Sequence, residues 1–137
     1  MTQTLDEPVR ALLNGTNPCY VTTLRKDGSP HLVATWVHSE GDEVLLNSVV
    51  GRAWPSNLER DPRVAILVQN AENSSEYVQI RGRCIELTEA GAEAHIDALT
   101  KKYTGLDSYP YRKPGERRVT ARIRPEHVYR RIPFPTA

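Results

Sequence analysis

The sequence predicts a mainly β protein in which six or more antiparallel strands form a barrel or a strongly curled sheet, with helices inserted between them. Short runs rich in β-branched and aromatic residues recur along the chain, and tight glycine-containing turns connect several of them. These connections are too short for the crossover helices of a parallel sheet. Closure of the sheet is favoured because it removes exposed strand edges.

The N-terminal segment predicts a short amphipathic helix. Residues 4–7 have the form of a capping box with Thr4 as the cap, and Pro8 is acceptable in a first helical turn. The apolar residues recur at helical spacing: Leu5, Val9, Leu12 and Leu13. Gly15 ends the pattern and the predicted helix.

The next part of the chain predicts three strands with tight connections. Residues 19–25 and 31–37 are strand-like runs, and an Asp27-Gly28 pair supplies a hairpin turn between them. A second glycine-containing turn leads into a third run, residues 44–48. Because the links are short, we expect antiparallel pairing of successive strands.

The middle of the chain predicts a second helix and two further strands. Residues 53–60 break the strand pattern before an Asp-Pro pair, and residues 64–68 form the next apolar run. Residues 77–87 alternate as one long strand, in which Gly82 indicates a bulge or bend.

The C-terminal third predicts a third helix and a final strand. We expect Thr88 to cap this helix and Gly105 to end it. Its predicted inward face consists of Ala92, Ile96, Leu99 and Tyr103. After a loop rich in proline and tyrosine, residues 119–123 alternate as the last main strand, with Val128 extending it beyond Pro125.

Composition and length indicate one soluble domain, residues 1–137. The hydrophobic content of 39% and the charged content of 26% are typical of globular chains. There is neither an apolar run near the roughly 18 residues of a membrane helix nor a secretion signal. Cys19 and Cys84 lie in alternating apolar stretches without CxxC spacing, which favours buried free thiols over a disulfide or a metal site. We therefore expect a cytoplasmic protein without a metal.

Basic residues are concentrated near the C-terminus, although the net charge of the chain is only +1. Between Arg112 and Arg131 there are eight basic residues and two acidic ones. Two interpretations remain open at this point: a solvated face of the terminal strands, or a patch that receives an anionic ligand.

Common catalytic motifs are missing from the sequence: it has no Walker loop, GxGxxG, HExxH or GxSxG pattern. The histidines are scattered, and we expect each to be structural or solvent-exposed rather than a ligand or base: His31, His38, His95 and His127.

The strongest candidate site is a corner at residues 47–57. Asn47 and Ser48 supply an amide and a hydroxyl at the end of a strand, and Gly51 allows the backbone to turn closely. Arg52 offers a permanently charged planar fork where a helix begins with free N–H groups. This corner suits a phosphate; the alternative is an ordinary surface corner with a solvated arginine.

Several runs of this chain have counterparts in a known family. Between Pro18 and Leu87 these runs are PCYVTTLRKDGSPHLVATWV, VLLNSVVGRAWPSNLERDPRVAILV and YVQIRGRCIEL. They resemble the pyridoxamine-phosphate-oxidase-like split β-barrel family, and more closely its flavin/deazaflavin-dependent oxidoreductase branch. The later segment KKYTGLDSYPYRKPGERRVTARIRPEHVYR is also similar to the tail of that branch.

The resemblance implies a homodimer with cofactor sites between the subunits. It implies hydride transfer between the deazaflavin coenzyme F420 and a small reducible organic molecule, and neither nucleic acid nor membrane is an expected partner. Two alternatives remain: an FMN-dependent oxidase or reductase of the same fold, or a non-catalytic flavin- or haem-binding protein. The chemistry belongs to the cofactor, so we assign no catalytic side chain.

The resemblance also implies cofactor-binding residues. The second strand would run along the cofactor ring with His31, Val33, Ala34, Thr35 and Trp36. The phosphate would be held by Asn47, Ser48, Arg52 and Asn57. From the long strand, Tyr77 or Gln79 would meet the cofactor; for Tyr77 a core or dimer contact is the alternative.

Other positions are open to more than one interpretation. Ala53 and Trp54 stand where many relatives carry a second basic residue, which predicts weak phosphate binding. Trp54 is expected to stack on the cofactor, to cover it, or simply to pack. Tyr109 and Tyr111 are candidate proton donors, with a structural role as the alternative.

The cofactor and the dimer each have one further argument from the sequence. The polyglutamate tail of F420 suits basic residues such as Arg117 and Arg118, whereas FMN ends at one phosphate. The long apolar strand offers more surface than one small core needs, so we expect a dimer that buries Val78, Ile80, Cys84 or their neighbours.

Overall fold

The seven strands described by the computed structural model form one antiparallel sheet, and three helices pack against it. The structure describes residues 3–132. In chain order the elements are α1 (Glu7–Asn14), β1 (Cys19–Leu24), β2 (Pro30–Thr35), β3 (His38–Glu40), β4 (Glu43–Val49), α2 (Ala53–Arg60), β5 (Arg63–Gln69), β6 (Tyr77–Thr88), α3 (Ala92–Thr104) and β7 (Arg118–Arg131). The predicted mainly β class with inserted helices is confirmed. None of the helices within residues 3–132 is long and apolar enough to cross a membrane.

The strand order is β2-β1-β5-β6-β7-β4-β3, so β2 and β3 are the edges of the sheet. The predicted pairing of run 31–37 with run 44–48 is therefore wrong, because β2 pairs with β1 whereas β4 pairs with β7 and β3. Strand β2 ends at Thr35, two residues before the end of the predicted run 31–37. The Val37 side chain is instead fully buried in the core. The chain thus turns inward after β2, and the short β3 forms its own hairpin with β4.

Helix α1 has the predicted apolar face but a different cap. Asp6, not Thr4, is the N-cap, and its Oδ1 accepts a hydrogen bond from the Val9 N–H at 3.2 Å. The predicted apolar residues are all buried: Leu5, Val9, Leu12 and Leu13. The helix ends before Gly15, as predicted. The helix begins after Asp6 rather than at Thr4 because the Leu5 N–H donates to Asp42 Oδ1 at 3.0 Å, while the Leu5 side chain is buried in the core.

Helix α3 covers one face of β4 and β7. The prediction that Thr88 caps it is wrong, because β6 continues through Thr88, which pairs with Thr120, and the helix begins after Gly91. Its predicted face is otherwise present, with Ala92, Ile96 and Leu99 buried and Tyr103 half-buried. Gly105 follows its last turn, as predicted.

The long strands β6 and β7 shift register at Gly82, which confirms the predicted bulge. A Cβ atom on Gly82 would lie 2.2 Å from the carbonyl oxygen of Arg124, so the two backbones approach too closely for any side chain there. Strand β7 continues past Pro125, also as predicted.

The core occupies the concave side of the curled sheet. Val78 and Ile80 on β6 are 0% exposed within one protomer, so neither is available to a dimer contact. Their neighbours Tyr77 and Gln79 alternate to the outer face. The homodimer stays a prediction. Of the three residues named for its contact, Cys84 alone is partly exposed, so the contact would use Cys84 or outward neighbours such as Tyr77 and Gln79.

Candidate functional site

A groove lies between β2 and β4, two strands that approach each other without pairing. It contains two neighbouring cavities that share Ala34, Thr35, Asn47 and Arg52. The Arg52 cavity, about 350 Å³, is lined by His31, Val33, Ala34, Thr35, Asn47, Ser48, Arg52, Ala53 and Trp54. The Arg118 cavity, about 220 Å³, is lined by Ala34, Thr35, Trp36, Asn47, Arg52, Ile96, Leu99, Tyr109 and Arg118. The structure thus brings together nine of the twelve predicted cofactor-binding residues.

The backbone turns sharply at the mouth of the Arg52 cavity. Gly51 has φ +97°, a left-handed conformation that side chains rarely adopt, and Arg52 follows as the N-cap of α2. The N–H groups of Ala53 and Trp54 have no acceptor among residues 3–132. The Arg52 side chain is exposed, and within the same range no carboxylate forms an ion pair with it. A free cation and free helical N–H groups therefore converge on one point, which suits a phosphate.

Two residues of α2 have mainly structural roles. Trp54 is 5% exposed and packs in the core, with only its edge at the cavity. Asn57 is buried; its Nδ2 donates to Thr23 Oγ1 at 3.0 Å, and its Oδ1 accepts from Arg60 at 3.3 Å. Asn57 lines neither cavity, because this pairing holds α2 against β1.

The structure does not bring Tyr77 and Gln79 to the groove of their own chain. Both lie on β6, in the middle of the sheet, whereas the groove lies between β2 and β4. The Tyr77 ring instead lies 6.3 Å from the ring of Tyr129 on β7. A cofactor contact from either residue requires a second copy of the chain.

Arg118 is the functional candidate whose placement the sequence did not indicate. It is 5% exposed, and its Nη1 donates to Asn47 Oδ1 at 3.3 Å. Its guanidinium lies 4.5 Å above the centre of the Tyr109 ring. Its Nε and Nη2 are buried without a hydrogen-bond partner among residues 3–132. One feature of the sequence could have indicated this position. Arg118 directly precedes the core residue Val119 in a strand, so its side chain lies on the opposite face, which α3 covers.

The other basic residues near the C-terminus are largely ion-paired. The pairs are Arg112 with Glu93 and Asp97, Arg117 with Glu89, Arg122 with Glu40 and Glu43, and Arg130 with Asp6. The Arg117–Glu89 distance is 3.0 Å, so a polyglutamate tail would have to compete with Glu89 for Arg117. Exposed ion pairs of this kind are compatible with the solvated face, and they leave less free charge for a broad anion patch.

A polar network behind the groove fixes Asn47. Its Nδ2 donates to the Ala92 carbonyl at 2.9 Å and faces His95 Nδ1 at 3.2 Å, so its Oδ1 is directed to Arg118. The Thr120 hydroxyl also lies 3.2 Å from that nitrogen. Burial, assisted by the nearby His38 ring, lowers the pKa of His95 to about 4. The ring is thus neutral at pH 7 and accepts through Nδ1, which agrees with the structural role predicted for it.

Aromatic rings close the far end of the groove. Trp36 stacks on Tyr103 at 5.2 Å and meets Tyr109 edge-on at 6.3 Å. Behind them the Lys102 ammonium donates to the carbonyls of Leu13 and Val37, and burial lowers the pKa of Lys102 to about 8. Of the two tyrosines considered as proton donors, Tyr109 lines the Arg118 cavity; Tyr111, which is 72% exposed, does not.

Comparison with known proteins identifies the family. The family model described as pyridoxamine 5'-phosphate oxidase matches residues 5–131. The chain belongs to this family. The resemblance seen in the sequence runs is therefore confirmed at the level of the pyridoxamine 5'-phosphate oxidase family.

Solved structures show the same family fold. A protein described as an F420 reductase superposes with a TM-score of 0.79 at 24% identity, covering 91% of this chain and 98% of that chain. A conserved hypothetical protein from Mycobacterium tuberculosis has a TM-score of 0.74 at 22% identity, covering 99% and 93%. A putative pyridoxamine 5'-phosphate oxidase from Listeria innocua has a TM-score of 0.65 at 18% identity, covering 88% and 92%.

Proposed function

We propose that this protein is an oxidoreductase that holds coenzyme F420 and passes a hydride between it and a small reducible organic molecule. The observation that carries the proposal is the unpaired Arg52 at the start of α2, beside the wall formed by β2. The structural neighbour described as an F420 reductase supports the same class.

The residues of the Arg52 cavity fit a phosphate-bearing cofactor. Arg52 and the free N–H groups of Ala53 and Trp54 suit the phosphate, and Ser48 adds a hydroxyl. Val33 and Ala34 on β2 give an apolar surface for a planar ring. When bound, the deazaflavin supplies the hydride chemistry. The chain itself would bind the ligands in the groove and orient them.

FMN is the second candidate, and Arg118 is the observation that favours it. The absence of a second cation next to Arg52 in the sequence predicts weak binding of FMN. The fold places Arg118 on the adjoining cavity, so the groove contains two cations after all. The pairing of Arg117 with Glu89 also removes part of the argument for a polyglutamate tail.

We further propose that the protein acts as a homodimer. Tyr77 and Gln79 lie on the outer face, where Tyr129 is 57% exposed and Leu32 on β2 is 68% exposed. Pairing through this face would allow Tyr77 or Gln79 of one copy to approach the groove of the other. Light scattering at micromolar concentration tests the proposal, and a monomer contradicts the shared-site arrangement.

Titration of the cofactor-free protein with F420 and with FMN, followed by absorption and fluorescence, tests the cofactor. We expect F420 to bind more tightly. We also expect its reduced form, when bound to the protein, to transfer its hydride to an unsaturated acceptor, which is reduced as F420 is oxidised. If FMN binds more tightly and reduced FMN is turned over, the cofactor is FMN and not F420. Binding without turnover over a broad panel of acceptors supports a non-catalytic binder instead.

A further inference from the structure

We propose that the Arg118 cavity, which adjoins the Arg52 cavity, is a second anion site that takes the carboxylate of a small organic acid with a planar apolar body. The identification of this acid as the substrate rests on the proposed function. The anion site itself stands on the geometry of Arg118 alone.

The burial of Arg118 indicates a missing counter-ion. Arg118 is 5% exposed as a whole residue, and no carboxylate among residues 3–132 forms an ion pair with its guanidinium. An unpaired buried charge is strongly unfavourable, and a bound anion offsets that penalty. The Tyr109 ring covers the face of the guanidinium, but a face contact leaves the in-plane N–H groups unsatisfied.

The free edge of the guanidinium is the one that binds a carboxylate through two hydrogen bonds. Asn47 occupies Nη1, which leaves Nε and Nη2 without partners. Arg63 uses this same edge for Asp61, with Nε to Oδ1 at 3.1 Å and Nη2 to Oδ2 at 2.7 Å. Asn47, itself fixed by the Ala92 carbonyl, therefore holds the carboxylate-binding edge of Arg118 in one orientation. Nε and Nη2 are closed to solvent, so a carboxylate reaches them only when a neighbouring side chain moves aside.

The walls of the cavity select the rest of the ligand. Ile96 and Leu99 of α3 and the rings of Trp36 and Tyr109 surround a volume of about 220 Å³. Such a lining suits a flat apolar group attached to the carboxylate. A hydrated phosphate fits better at Arg52, which is exposed. An aromatic or conjugated monocarboxylate fits both features.

The test uses thermal unfolding of the cofactor-free protein with three probes: benzoate, its neutral analogue benzamide, and inorganic phosphate. We expect benzoate to raise the Tm of the parent by roughly 7–12 °C at about a hundred-fold excess over its Kd. Benzamide should have no effect, because it lacks the charge. Phosphate should stabilise through Arg52.

Two variants should separate the cavities, and a third serves as the control. Arg118→Met should abolish the response to benzoate and keep the response to phosphate. Arg52→Met should abolish the response to phosphate and keep most of the response to benzoate, because Arg52 only borders the Arg118 cavity. Without any anion, Arg118→Met should unfold at the parent's Tm or above it, because the variant no longer buries an unpaired charge. Arg117→Met, which changes the exposed neighbour paired with Glu89, should behave as the parent.

An unchanged benzoate response in Arg118→Met overturns the proposal, as does an equal response to benzamide in the parent. Should Arg118→Met not fold, Arg118→Lys decides the matter, since it keeps the charge but loses the two-pronged edge. Benzoate should then bind at least about ten-fold more weakly, and unchanged affinity overturns the proposal. The benzoate test contains no cofactor, so the two proposals can fail separately. A benzoate response without F420 binding refutes only the proposed function. F420 binding without a benzoate response refutes only this inference.

Discussion

Arg52 and Arg118 supply positive charge to the same groove, but the fold holds them in opposite ways. Arg52 is exposed on a corner, and within residues 3–132 its side chain has no hydrogen bond or ion pair, whereas Arg118 is buried between Asn47 and Tyr109. An exposed cation adds little to the stability of the folded chain, whether or not a ligand is bound. A buried unpaired cation lowers that stability until an anion arrives. Substitution of Arg52 should therefore change the affinity for the ligand but not the stability of the ligand-free chain. Substitution of Arg118 should change both.

The largest expected effect is that of Arg52→Ala on the cofactor. The variant should bind F420 more weakly by roughly 2–4 kcal/mol, because the phosphate loses its charged fork. Its Tm without ligand should match that of the parent, since the side chain is exposed. Cofactor titration and thermal unfolding measure the two quantities. Arg131→Ala, which removes another exposed arginine, is the control, and parent-like F420 binding by Arg52→Ala would falsify the assignment of the phosphate.

Next in size is the effect of Asn47→Asp on the Arg118 cavity. The new carboxylate would face a guanidinium nitrogen that lies 3.3 Å from Asn47 Oδ1 in the parent, and would act as an internal counter-ion. Benzoate should then bind at least about ten-fold more weakly, a loss of about 1.4 kcal/mol or more. Asn57→Asp is a matched control, because Asn57 is equally buried but lies outside the groove. Full benzoate affinity in Asn47→Asp would show that Arg118 does not bind the carboxylate.

A smaller effect should appear in the pH dependence of stability. The pKa of His95 is about 4 in the folded chain, below the ordinary histidine value of 6.5, so the unfolded chain binds the proton more readily. Stability should therefore fall as the pH falls from about 6.5 to about 4, and His95→Gln should lose about 1–2 kcal/mol less than the parent over that range. Denaturant unfolding at several pH values measures this difference.

Other groups do not obscure the His95 effect. The pKa of His38 is also lowered, chiefly by burial, but His38 is present in both proteins. Hydrogen bonds and charge from Arg63 lower the pKa of Asp61 to about 2, so this carboxylate acts at lower pH. His127→Gln alters an exposed histidine and should follow the parent curve. Equal acid sensitivity in His95→Gln and the parent would argue that His95 does not fix Asn47 as a neutral acceptor.

The smallest effect should be that of Arg117→Ala. Arg117 is exposed and paired with Glu89, so its loss should change the free energy of unfolding by no more than about 0.5 kcal/mol. The affinity for F420 and its dependence on salt should also stay as in the parent. A marked loss of F420 affinity in this variant would restore the polyglutamate contact that the ion pair argues against.

Local features of the fold could be predicted from the sequence with few errors. The Asp27-Gly28 hairpin, the helix over residues 53–60 and the bulge at Gly82 all follow from short stretches whose residues restrict the backbone directly. The corner at Arg52 was found for the same reason, since its glycine, its cation and the start of its helix are neighbours in the chain.

Features that depend on distant parts of the chain could not be predicted in this way. The pairing of β4 with β7 has no local signal, and without it Arg118 is one of many arginines near the C-terminus. Thr88 has a good capping side chain, but its pairing with Thr120 decides its conformation. Asn57 suits a phosphate by residue type, yet Thr23 on another element takes its hydrogen bond.

The register of β4 and β7 also bears on how the protein folds. Asn47 lies opposite Thr120, and Val49 lies opposite Arg118, so the pairing closes a loop of about seventy residues. The β1–β2 and β3–β4 hairpins close much shorter loops, and contacts over short separations form faster. A chain with only its hairpins formed would have neither the Arg118 cavity nor its polar network. Ligand binding during refolding should therefore report the moment at which the two halves of the sheet join.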